Sequence, residues 1–457
     1  MSDQGLVASV AKMRAAGANE AAIEVFSHYY AEAAAGVTGM IPEASIDPLT
    51  DPPQLSDVVI DEQTARDAIA RTVIIKLNGG LGTSMGLDQA KTLLPVRDGL
   101  TFIDLIVQQI TAARATYDAP LPLLFMNSFR TRQDTLAHLA KYPDLPVAGL
   151  PVDFLQNAEP KITADTFEPV DWPADPTLEW CPPGHGDVYT ALVGSGLLDA
   201  LLAAGMKYAS ISNGDNLGAA PDAELAGWFA SSGAPYAAEI CPRTVNDRKG
   251  GHLALRKSDG QLILRDTAQT PAEDMDHFTD EFRHPYFHTN NLWIDLEQLK
   301  TALQQRGAVL GLPLIYNVKN VDPSDASSPK VIQLETAMGA AIEVFRGATA
   351  IAVPRSRFQP VKTTNELLLL RSDVFDLGPD SRLTQTVADV PQVDLDGRFY
   401  KLIDDFEARV SQPPSLRQAT SFVVHGDWTF DRPVIAVGDT VFEDLGHPSV
   451  AGVEDRA

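Results

Sequence analysis

The chain has 457 residues and a strongly acidic composition, with 61 Asp and Glu residues against 36 Lys and Arg residues and a formal charge of −25. This charge disfavours nucleic acids and anionic membranes as partners, since both are polyanions. Hydrophobic residues make up 44% of the chain, which is long enough for two or three domains with a substantial core. No stretch approaches the ~20 uninterrupted apolar residues of a membrane-spanning helix.

The N-terminal sequence MSDQGLVASVAKMRAAG lacks a long apolar segment, so we expect no signal peptide. The chain has two cysteines, Cys181 and Cys241, which do not make a disulfide framework. We expect both to be plain buried thiols, because no activating base is evident near either of them. These features favour a reducing, cytoplasmic location.

The sequence divides into three parts along the chain. Residues 1–60 begin with Ala-rich, helix-forming sequence over Leu6–Ala35 and continue through a Pro- and Asp-rich linker, IPEASIDPLTDPPQL. From 61 to about 375, short apolar runs alternate with helical patterns. In residues 376–457 short β-rich runs become predominant, such as SFVVHGDWTFDRPVIAVGDTVFED. We therefore predict a helical N-terminal segment, a central domain and a C-terminal β-rich domain.

The middle part predicts an α/β fold. Its predicted strands are Val73–Leu77, Leu121–Met126, Tyr208–Ile211, Tyr236–Ile240, Leu292–Ile294 and Ala350–Val353. Predicted helices include Val188–Ala204, ended by Gly205, and Glu335–Phe345, ended by Gly347. Strands that alternate with helices favour a covered, mixed or parallel sheet of the Rossmann-like kind, which binds ligands at the carboxyl ends of its strands.

The first predicted strand runs into a glycine-rich loop within KLNGGLGTSMGLDQAKTLLP, residues 76–95. Glycines occupy positions 79, 80, 82 and 86, and Lys91 follows. A buried strand, a loop whose backbone amides can surround phosphates, and then a cation together indicate a phosphate-binding loop. The spacing does not match a dinucleotide fingerprint, because Met85 stands where the third glycine belongs. It does not match a P-loop either, because Leu87 rather than Lys follows Gly86. A solvated glycine-rich turn is the remaining alternative.

From about residue 70 onward, the sequence resembles the eukaryotic-type UTP–glucose-1-phosphate uridylyltransferases, also called UDP-glucose pyrophosphorylases. The matching motifs, in order, are GGLGTSMG, LTFIDLIVQQI, LFMNSFRTRQDT, CPPGHGDVYTAL, SNGDN, KGGHLAL, TNNLWI, VIQLETAMGAAI and VPRSRFQPVKTT. The resemblance implies a nucleotidyltransferase domain over 61–375 and, within 376–457, about two coils of a left-handed β-helix. It also implies Mg²⁺-dependent, reversible transfer of UMP from UTP to glucose 1-phosphate.

The resemblance assigns site residues by position. Lys91 and Lys362 are the catalytic residues it implies, and Asp215 is the Mg²⁺ ligand. The nucleotide-binding positions are Leu77, Asn78, Gly79, Gly80, Lys91, Gln156, Gly184, Asn213, Gly214, Asp215 and Lys362. The positions for the sugar phosphate are Gly79, Gly80, His185, Gly250, Asp266, His288 and Asn290.

These residue types suit the implied chemistry. A lysine can neutralise the charge that builds up on a departing pyrophosphate. An aspartate at a strand end suits Mg²⁺, which is commonly held by one or two carboxylates and the substrate phosphates. A side-chain amide such as that of Gln156 can pair with the edge of uracil. In so acidic a chain, a triphosphate site needs local cations, and those in the matching motifs are Lys91, Lys161, Arg355, Arg357 and Lys362.

The predicted hexose pocket departs from the family. Asp266 stands where a Glu is common, and His288 stands where the family has Asn. These changes leave open a broad-specificity UDP-sugar pyrophosphorylase as an alternative to a strict glucose enzyme. A catalytically silent regulatory subunit and a nicotinamide-dependent oxidoreductase are further alternatives. The combination of Lys91, Asp215 and Lys362 argues against the former, and the glycine spacing argues against the latter. We expect UTP and a hexose 1-phosphate as partners, and the oligomeric state stays open, with a homo-oligomer as one expectation.

Overall fold

The computed structural model describes residues 3–244, 247–248 and 250–452. Its helices are α1 Asp3–Ala15, α2 Glu20–Ala34, α3 Glu62–Ala70, α4 Phe102–Tyr117, α5 Arg132–Leu139, α6 Val188–Gly194, α7 Leu197–Ala203, α8 Ala223–Ser232, α9 Met275–Phe278, α10 Leu296–Arg306, α11 Thr364–Arg371, α12 Gly397–Tyr400 and α13 Ile403–Arg409. Among the described residues, no single helix is long and apolar enough to span a membrane, although the helical stretches His185–Gly194 and Leu197–Ala203, bent by 71°, reach that length and composition when taken together.

The strands have from two to ten residues each. They are β1 Ile46–Pro48, β2 Thr72–Asn78, β3 Pro95–Arg97, β4 Leu100–Thr101, β5 Leu123–Asn127, β6 Asp153–Leu155, β7 Glu159–Pro160, β8 Ile162–Thr163, β9 Trp180–Cys181, β10 Tyr208–Asn213, β11 Tyr236–Pro242, β12 His252–Arg256, β13 Leu262–Arg265, β14 Tyr286–Asp295, β15 Leu314–Asn320, β16 Lys330–Thr336, β17 Thr349–Ala352, β18 Phe375–Leu377, β19 Leu383–Gln385, β20 Gln392–Leu395, β21 Ser415–Val424, β22 Trp428–Thr429, β23 Ile435–Phe442 and β24 Ser449–Val450.

A seven-stranded mixed sheet organises the molecule, in the order β17-β11-β14-β10-β2-β5-β6. Its neighbours pair in parallel except for β14, which is antiparallel to both β10 and β11. Apolar side chains cover both faces, because Val73 and Ile75 of β2 belong to one buried cluster and Ile74 belongs to the other. All six predicted strands are present here, so the predicted α/β fold with a mixed sheet is confirmed.

The N-terminal segment packs on the central part of the chain. The predicted helical stretch is two helices, because Gly17 adopts a left-handed conformation and Asn19 caps α2 through its side chain. Phe26 and Tyr30 of α2 share a buried cluster with Ile332 and Leu334 of β16. The predicted linker is also structured, since it supplies β1, which pairs with β12.

Two helix predictions need correction. The predicted helix Val188–Ala204 is broken into α6 and α7, because Gly196 adopts a left-handed conformation with φ 71°. The predicted helix Glu335–Phe345 is wrong. Glu335 lies in β16, which pairs with β15 along its whole length, and only a 3-10 helix, Met338–Glu343, follows. Strand pairing therefore overrides an apolar pattern that fits a helix equally well.

The C-terminal part is built from parallel strand pairs. β20, β21 and β23 form one parallel sheet, and β22 pairs in parallel with β24. Phe422, Val424 and Phe442 point into its interior and share a buried cluster with α4 and α11 of the central part. The division at residues 60 and 375 stays a prediction, as does the left-handed coil.

Candidate active site

The glycine-rich loop folds back on itself at the carboxyl end of β2. Leu81 forms a β-bridge with Ala90, and the Lys91 backbone N–H donates to the Gly80 carbonyl at 3.4 Å. These contacts return Lys91 to the strand end that the loop left. A Cβ at Gly79 would lie 2.6 Å from Oε1 of Gln156, so a side chain there would displace that amide. The loop is therefore closed at its base, with Gly82, Met85 and Ala90 buried, while its tip is exposed.

A cavity of about 380 Å³ opens beside this loop. It is lined by Leu77, Asn78, Gly79, Gly80, Leu81, Lys91, Thr92, Met126, Gln156, Pro182, Gly184, His185, Asn213 and Asp215. Most predicted nucleotide positions therefore meet in one place. Gly214 is not among the lining residues. Its backbone N–H donates to the carbonyl of the lining residue Leu77 at 2.8 Å.

Lys91 and Asp215 form an ion pair in the wall of the cavity. The Lys91 Nζ donates to the Asp215 Oδ2 at 2.7 Å, and their side chains are 18% and 20% exposed. The same ammonium donates to the Val361 carbonyl. A phosphate that attracts Lys91 would release the Asp215 carboxylate, which is then free to bind a cation. The pair thus offers one positive and one negative group at the same point.

Lys362 is exposed. It directly follows Val361, whose carbonyl accepts a hydrogen bond from the Lys91 ammonium. Pro360 forms a β-bridge with Asn216, so this segment runs beside the loop that carries Asp215. The structure therefore brings Lys362 to the rim of the site through its backbone. Its predicted role at the α-phosphate stays a prediction.

Gln156 is buried and held on two sides. Its backbone N–H donates to the Asn127 carbonyl at 2.7 Å, and its side-chain Nε2 donates to the Gly184 carbonyl at 2.7 Å. Its Oε1 then faces Gly79. Gly184 has φ 76° and no room for a Cβ, which would lie 2.5 Å from the Thr336 carbonyl oxygen. The two predicted base-reading residues are thus neighbours, with a carbonyl oxygen of the amide fixed as an acceptor.

The side-chain amide of Asn78 makes three hydrogen bonds inside the protein. Its Nδ2 donates to the Asn127 Oδ1 at 2.7 Å and to the Thr135 Oγ1 at 2.9 Å. Its Oδ1 accepts from the Thr92 hydroxyl. Although Asn78 lines the cavity, its side-chain amide is engaged in holding β5, α5 and the start of the Lys91 segment together.

Backbone hydrogen bonds fix the tautomers of two histidines, His185 and His288. The Met338 N–H donates to His185 Nδ1 at 2.9 Å, and the Asn290 N–H donates to His288 Nδ1 at 3.1 Å. In each neutral ring the proton is therefore on Nε2. Burial lowers the pKa of His185, and it lowers the pKa of His288 to about 3. Both rings stay neutral hydrogen-bond donors over the physiological pH range.

The other residues predicted to bind the sugar form a wall beside His185. We call it the sugar wall; it consists of Gly250, Asp266, His288 and Asn290. The His288 N–H donates to the Gly251 carbonyl at 2.8 Å, and the Asn290 Nδ2 donates to the Asn213 Oδ1 at 3.2 Å. The negative charge of Asp266 acts on the His185 ring. However, the Asp266 Oδ1 accepts from the Thr267 N–H at 2.7 Å as a helix cap. One oxygen of this carboxylate is thus already engaged within the protein.

Three of the predicted local cations lie away from the cavity. The Lys161 Nζ donates to the Val321 carbonyl at 3.0 Å in the interior. Arg357 makes a buried, two-point ion pair with Glu239, with both N···O distances 2.8 Å. Arg355 pairs with Asp247 at 2.6 Å. None of the three is among the residues that line the cavity, so a contribution of theirs to phosphate binding stays a prediction.

Sequence reasoning missed Lys76, which is buried in the central sheet beneath the site. Its Nζ donates to the Ser212 Oγ and to the Ala219 carbonyl, both at 2.8 Å, so it joins the two ends of the loop that carries Asp215. Burial lowers its pKa to about 7. A lysine inside an otherwise apolar strand was the signal that could have revealed it.

The prediction for the two cysteines is confirmed: Cys181 and Cys241 are free and buried. Burial raises the pKa of Cys181 well above its usual value and that of Cys241 to about 12. Neither is suited to act as a nucleophile, since the thiolate is the reactive form.

Within the described residues, no group of three or more His, Cys, Asp or Glu side chains is placed to hold a metal ion. A single carboxylate such as Asp215 suits Mg²⁺, which commonly takes most of its other ligands from substrate phosphates and water.

The profile of the UTP–glucose-1-phosphate uridylyltransferase family matches residues 23–436. The chain belongs to this family. It is 37% identical over 407 residues to the enzyme of that name from Solanum tuberosum, covering 87% of this chain and 80% of the relative. It is 39% identical over 376 residues to the Saccharomyces cerevisiae enzyme of the same name, with 82% and 74% covered.

Solved structures of the family are similar over the whole fold. UDP-glucose phosphorylase from Trypanosoma brucei has a TM-score of 0.90 and 43% identity, covering 99% of this chain and 98% of that one. A variant of UDP-glucose pyrophosphorylase from Leishmania major, solved with UDP-glucose, has a TM-score of 0.91 and 42% identity, with 99% and 98% covered. The family predicted from the motifs is thus confirmed.

Proposed function

We propose that the protein transfers UMP from UTP to α-D-glucose 1-phosphate, giving UDP-glucose and pyrophosphate in a reversible reaction. The observation that carries the proposal is the meeting of Lys91, Asp215 and the closed glycine loop at one cavity, in a chain of this family. The loop offers backbone amides to phosphates, and Lys91 offers the positive charge that they need.

In the proposed reaction, a phosphate oxygen of glucose 1-phosphate attacks the α-phosphorus of UTP. A bond forms between them, and the bond from that phosphorus to the bridging β-oxygen breaks, so that pyrophosphate leaves with its electron pair. No protein nucleophile is needed. Lys91 leaves Asp215 for the phosphates and stabilises the charge on the departing pyrophosphate. Lys362 approaches from the rim, near the attacking oxygen.

Asp215 would hold Mg²⁺ once UTP has drawn Lys91 away from it. When bound, the ion would supply positive charge to the triphosphate oxygens. The carboxylate stands at the end of β10 and is partly exposed, which suits an ion shared with a substrate. The Gln156 Oε1 would accept the N3–H of uracil, and the backbone of Gly184 would complete the contact with the base.

The hexose side supports glucose, with one feature that favours wider specificity. Gly250, His288 and Asn290 would contact sugar hydroxyls, and the His288 Nε2–H, which is buried and makes no hydrogen bond to the described residues, would need an opening of the wall to reach one. Asp266 is shorter than the Glu common in the family, and one of its oxygens already caps a 3-10 helix. A weaker hold on one hydroxyl would relax the choice between sugars, which makes a broad-specificity UDP-sugar pyrophosphorylase the second candidate.

The test is pyrophosphate release from UTP with glucose, galactose, N-acetylglucosamine and xylose 1-phosphates, each with Mg²⁺ and with EDTA. We expect strong preference for glucose 1-phosphate and no turnover with EDTA. Comparable rates with several sugars would replace the strict enzyme by the broad-specificity one. Absence of turnover with every sugar would contradict the proposed function, and full turnover in EDTA would contradict the Mg²⁺ requirement.

We also propose that the C-terminal strands are coils of a left-handed β-helix. The parallel pairing of Phe422 with Thr440 and of Trp428 with Ser449 supports successive coils stacked in register. A cytoplasmic location is proposed on the strength of the two unpaired, buried cysteines, which suit a reducing compartment.

A further inference from the structure

The segment 41–48, part of the predicted linker, braces the turn that carries Asp266. We call it the N-terminal brace. Its β1 strand pairs with β12, and the Ile41 N–H donates to the Gln269 carbonyl at 2.7 Å. Gln269 in turn accepts from the Asp266 N–H through its side-chain Oε1 at 3.0 Å. The brace is thus two hydrogen bonds away from a residue of the sugar wall.

Glu43 is the buried charge of this brace. Its carboxylate accepts hydrogen bonds from the guanidinium groups of Arg265 and Arg283, and from His284 Nε2 at 3.2 Å. Glu43, Arg265 and His284 are 6%, 0% and 1% exposed. Burial alone would raise the pKa of Glu43, but its contacts with Arg283, His284 and Arg265 hold that pKa below its usual value. The carboxylate is therefore ionised and paired.

The contacts of Glu43 continue into a buried cluster behind the sugar wall. The His252 ring stacks on His284 with centroids 3.8 Å apart, and the Arg243 guanidinium lies over the Phe278 ring at 5.3 Å. Arg243 donates to the carbonyl of Gly250. Through Arg243, the cluster around Glu43 is thus also connected to the segment of the sugar wall that contains Gly250 and Gly251.

The energetics of this cluster depend on Glu43. Arg265 is fully buried, and Glu43 and Asp274 are the carboxylates that pair with it. Removing the Glu43 charge would leave the buried Arg265 paired with Asp274 alone, at 3.3 Å, and a buried charge that loses part of its compensation is unfavourable. The local structure would then shift so that the Arg265 guanidinium contacts water or pairs with another acidic group. Asp266 is the next residue along the chain, so a shift of Arg265 displaces the sugar wall.

We propose that Glu43 is a positioning residue for the sugar phosphate, acting through Arg265 on Asp266 and leaving the nucleotide side of the site unaffected. The inference rests on the proposed function, since it takes the wall of Gly250, Asp266, His288 and Asn290 to be the sugar side. The nucleotide residues Lys91, Gln156 and Asp215 have their own contacts, with Val361, Gly184 and each other, and do not depend on the brace.

The test is Glu43→Gln, which keeps the side-chain shape and removes its charge. We expect the KM for glucose 1-phosphate to rise by about tenfold, since a misplacement of about 1 Å has large effects on a site, while the KM for UTP stays within about twofold. The matched control is Glu179→Gln. Glu179 also ties the N-terminal segment to the central part, through an ion pair with Lys12 at 2.5 Å, and its other oxygen accepts from the Trp172 N–H at 2.8 Å rather than from a group around Asp266.

Equal rises in both KM values, or the same selective rise in Glu179→Gln, would overturn the inference, because they would indicate general damage. An unchanged KM for the sugar phosphate in folded Glu43→Gln would also overturn it and leave the proposed function intact. If that variant does not fold, Arg283→Gln decides, since Arg283 is 41% exposed in its side chain and donates to the same carboxylate. A selective rise supports the inference there, and no rise overturns it. Failure of the wild-type protein with every sugar would contradict the proposed function itself.

Discussion

Lys91 and Asp215 carry opposite charges at one point of the cavity, and each needs a different partner when substrate binds. We predict that Lys91→Ala lowers turnover by about 10²–10³-fold, because loss of one group that stabilises the charge of the transition state has effects of this order. The unfolding temperature should change little, since the side chain lies at the cavity surface. Steady-state kinetics with UTP and glucose 1-phosphate measure the change.

The matched control for that variant is Lys300→Ala. Lys300 also makes an ion pair at 2.7 Å, with Asp199, but on the surface and outside the cavity. Its removal should leave turnover unchanged. Turnover of Lys91→Ala equal to that of the wild-type protein would remove Lys91 from the mechanism.

Gln156 should select the base rather than speed the chemistry. In Gln156→Ala we expect weaker binding of UTP and a loss of discrimination against CTP of about 10–100-fold, because the acceptor for the N3–H of uracil is gone. The kcat/KM values for UTP, TTP and CTP measure this. Gln63→Ala, at an exposed position on α3, is the control. Equal discrimination before and after the change would contradict the assignment.

The family resemblance was enough to select Lys91, Asp215 and Gln156, and the structure places all three at one cavity because their segments follow neighbouring strand ends. The sequence could not show that Arg355, Arg357 and Lys161 lie away from the cavity. Whether a cation reaches a ligand depends on which carboxylates and carbonyls surround it, and those partners come from distant parts of the chain. Asn78 was found as a position, but its role depends on contacts with β5 and α5 that no local pattern contains.

At the scale of elements, the strands of the central sheet were predictable, because buried strands are short apolar runs bounded by turn residues. The stretch after Lys330 was not, since its apolar residues fit a helix as well as a strand and pairing with β15 decides between them. The N-terminal brace was read as a linker because its prolines and acidic residues resemble a solvated segment. The burial of Glu43 arises from arginines more than 200 residues away.

The elements also explain why the site forms where it does. β2 and β10 are parallel neighbours, so their carboxyl ends place the glycine loop and the Asp215 loop side by side. β14 runs the other way and brings Asn290 to the same edge. There a register shift against β11 and a left-handed Asn290, with φ 62°, redirect its side chain toward Asn213. One sheet edge thus carries the positions predicted for the phosphates, the metal and the sugar.

For the whole molecule, stability should depend on the buried Lys76. Burial lowers the pKa of its ammonium from 10.5 to about 7, and the nearby Arg357 acts in the same direction. Between these two pH values the unfolded chain binds a proton that the folded chain has lost. The free energy of unfolding therefore gains a contribution from Lys76 that rises with pH over this window, by up to about 1 kcal/mol per pH unit. Below pH 7 both states are protonated and the full cost of burying the charge is present.

Lys76→Met removes this contribution, so the difference in unfolding free energy between the variant and the wild-type protein should change with pH. We expect the difference in unfolding free energy, variant minus wild type, to fall as pH rises from 7 to 10. Buried tyrosines and cysteines also titrate above pH 7, but they are common to both proteins and cancel in the difference. Urea titrations at several pH values, with Lys300→Met as the control for loss of a surface lysine, measure it. A difference that does not vary with pH would mean that Lys76 keeps its proton in the folded protein, and that its two hydrogen bonds to the ends of the Asp215 loop are made by a full positive charge.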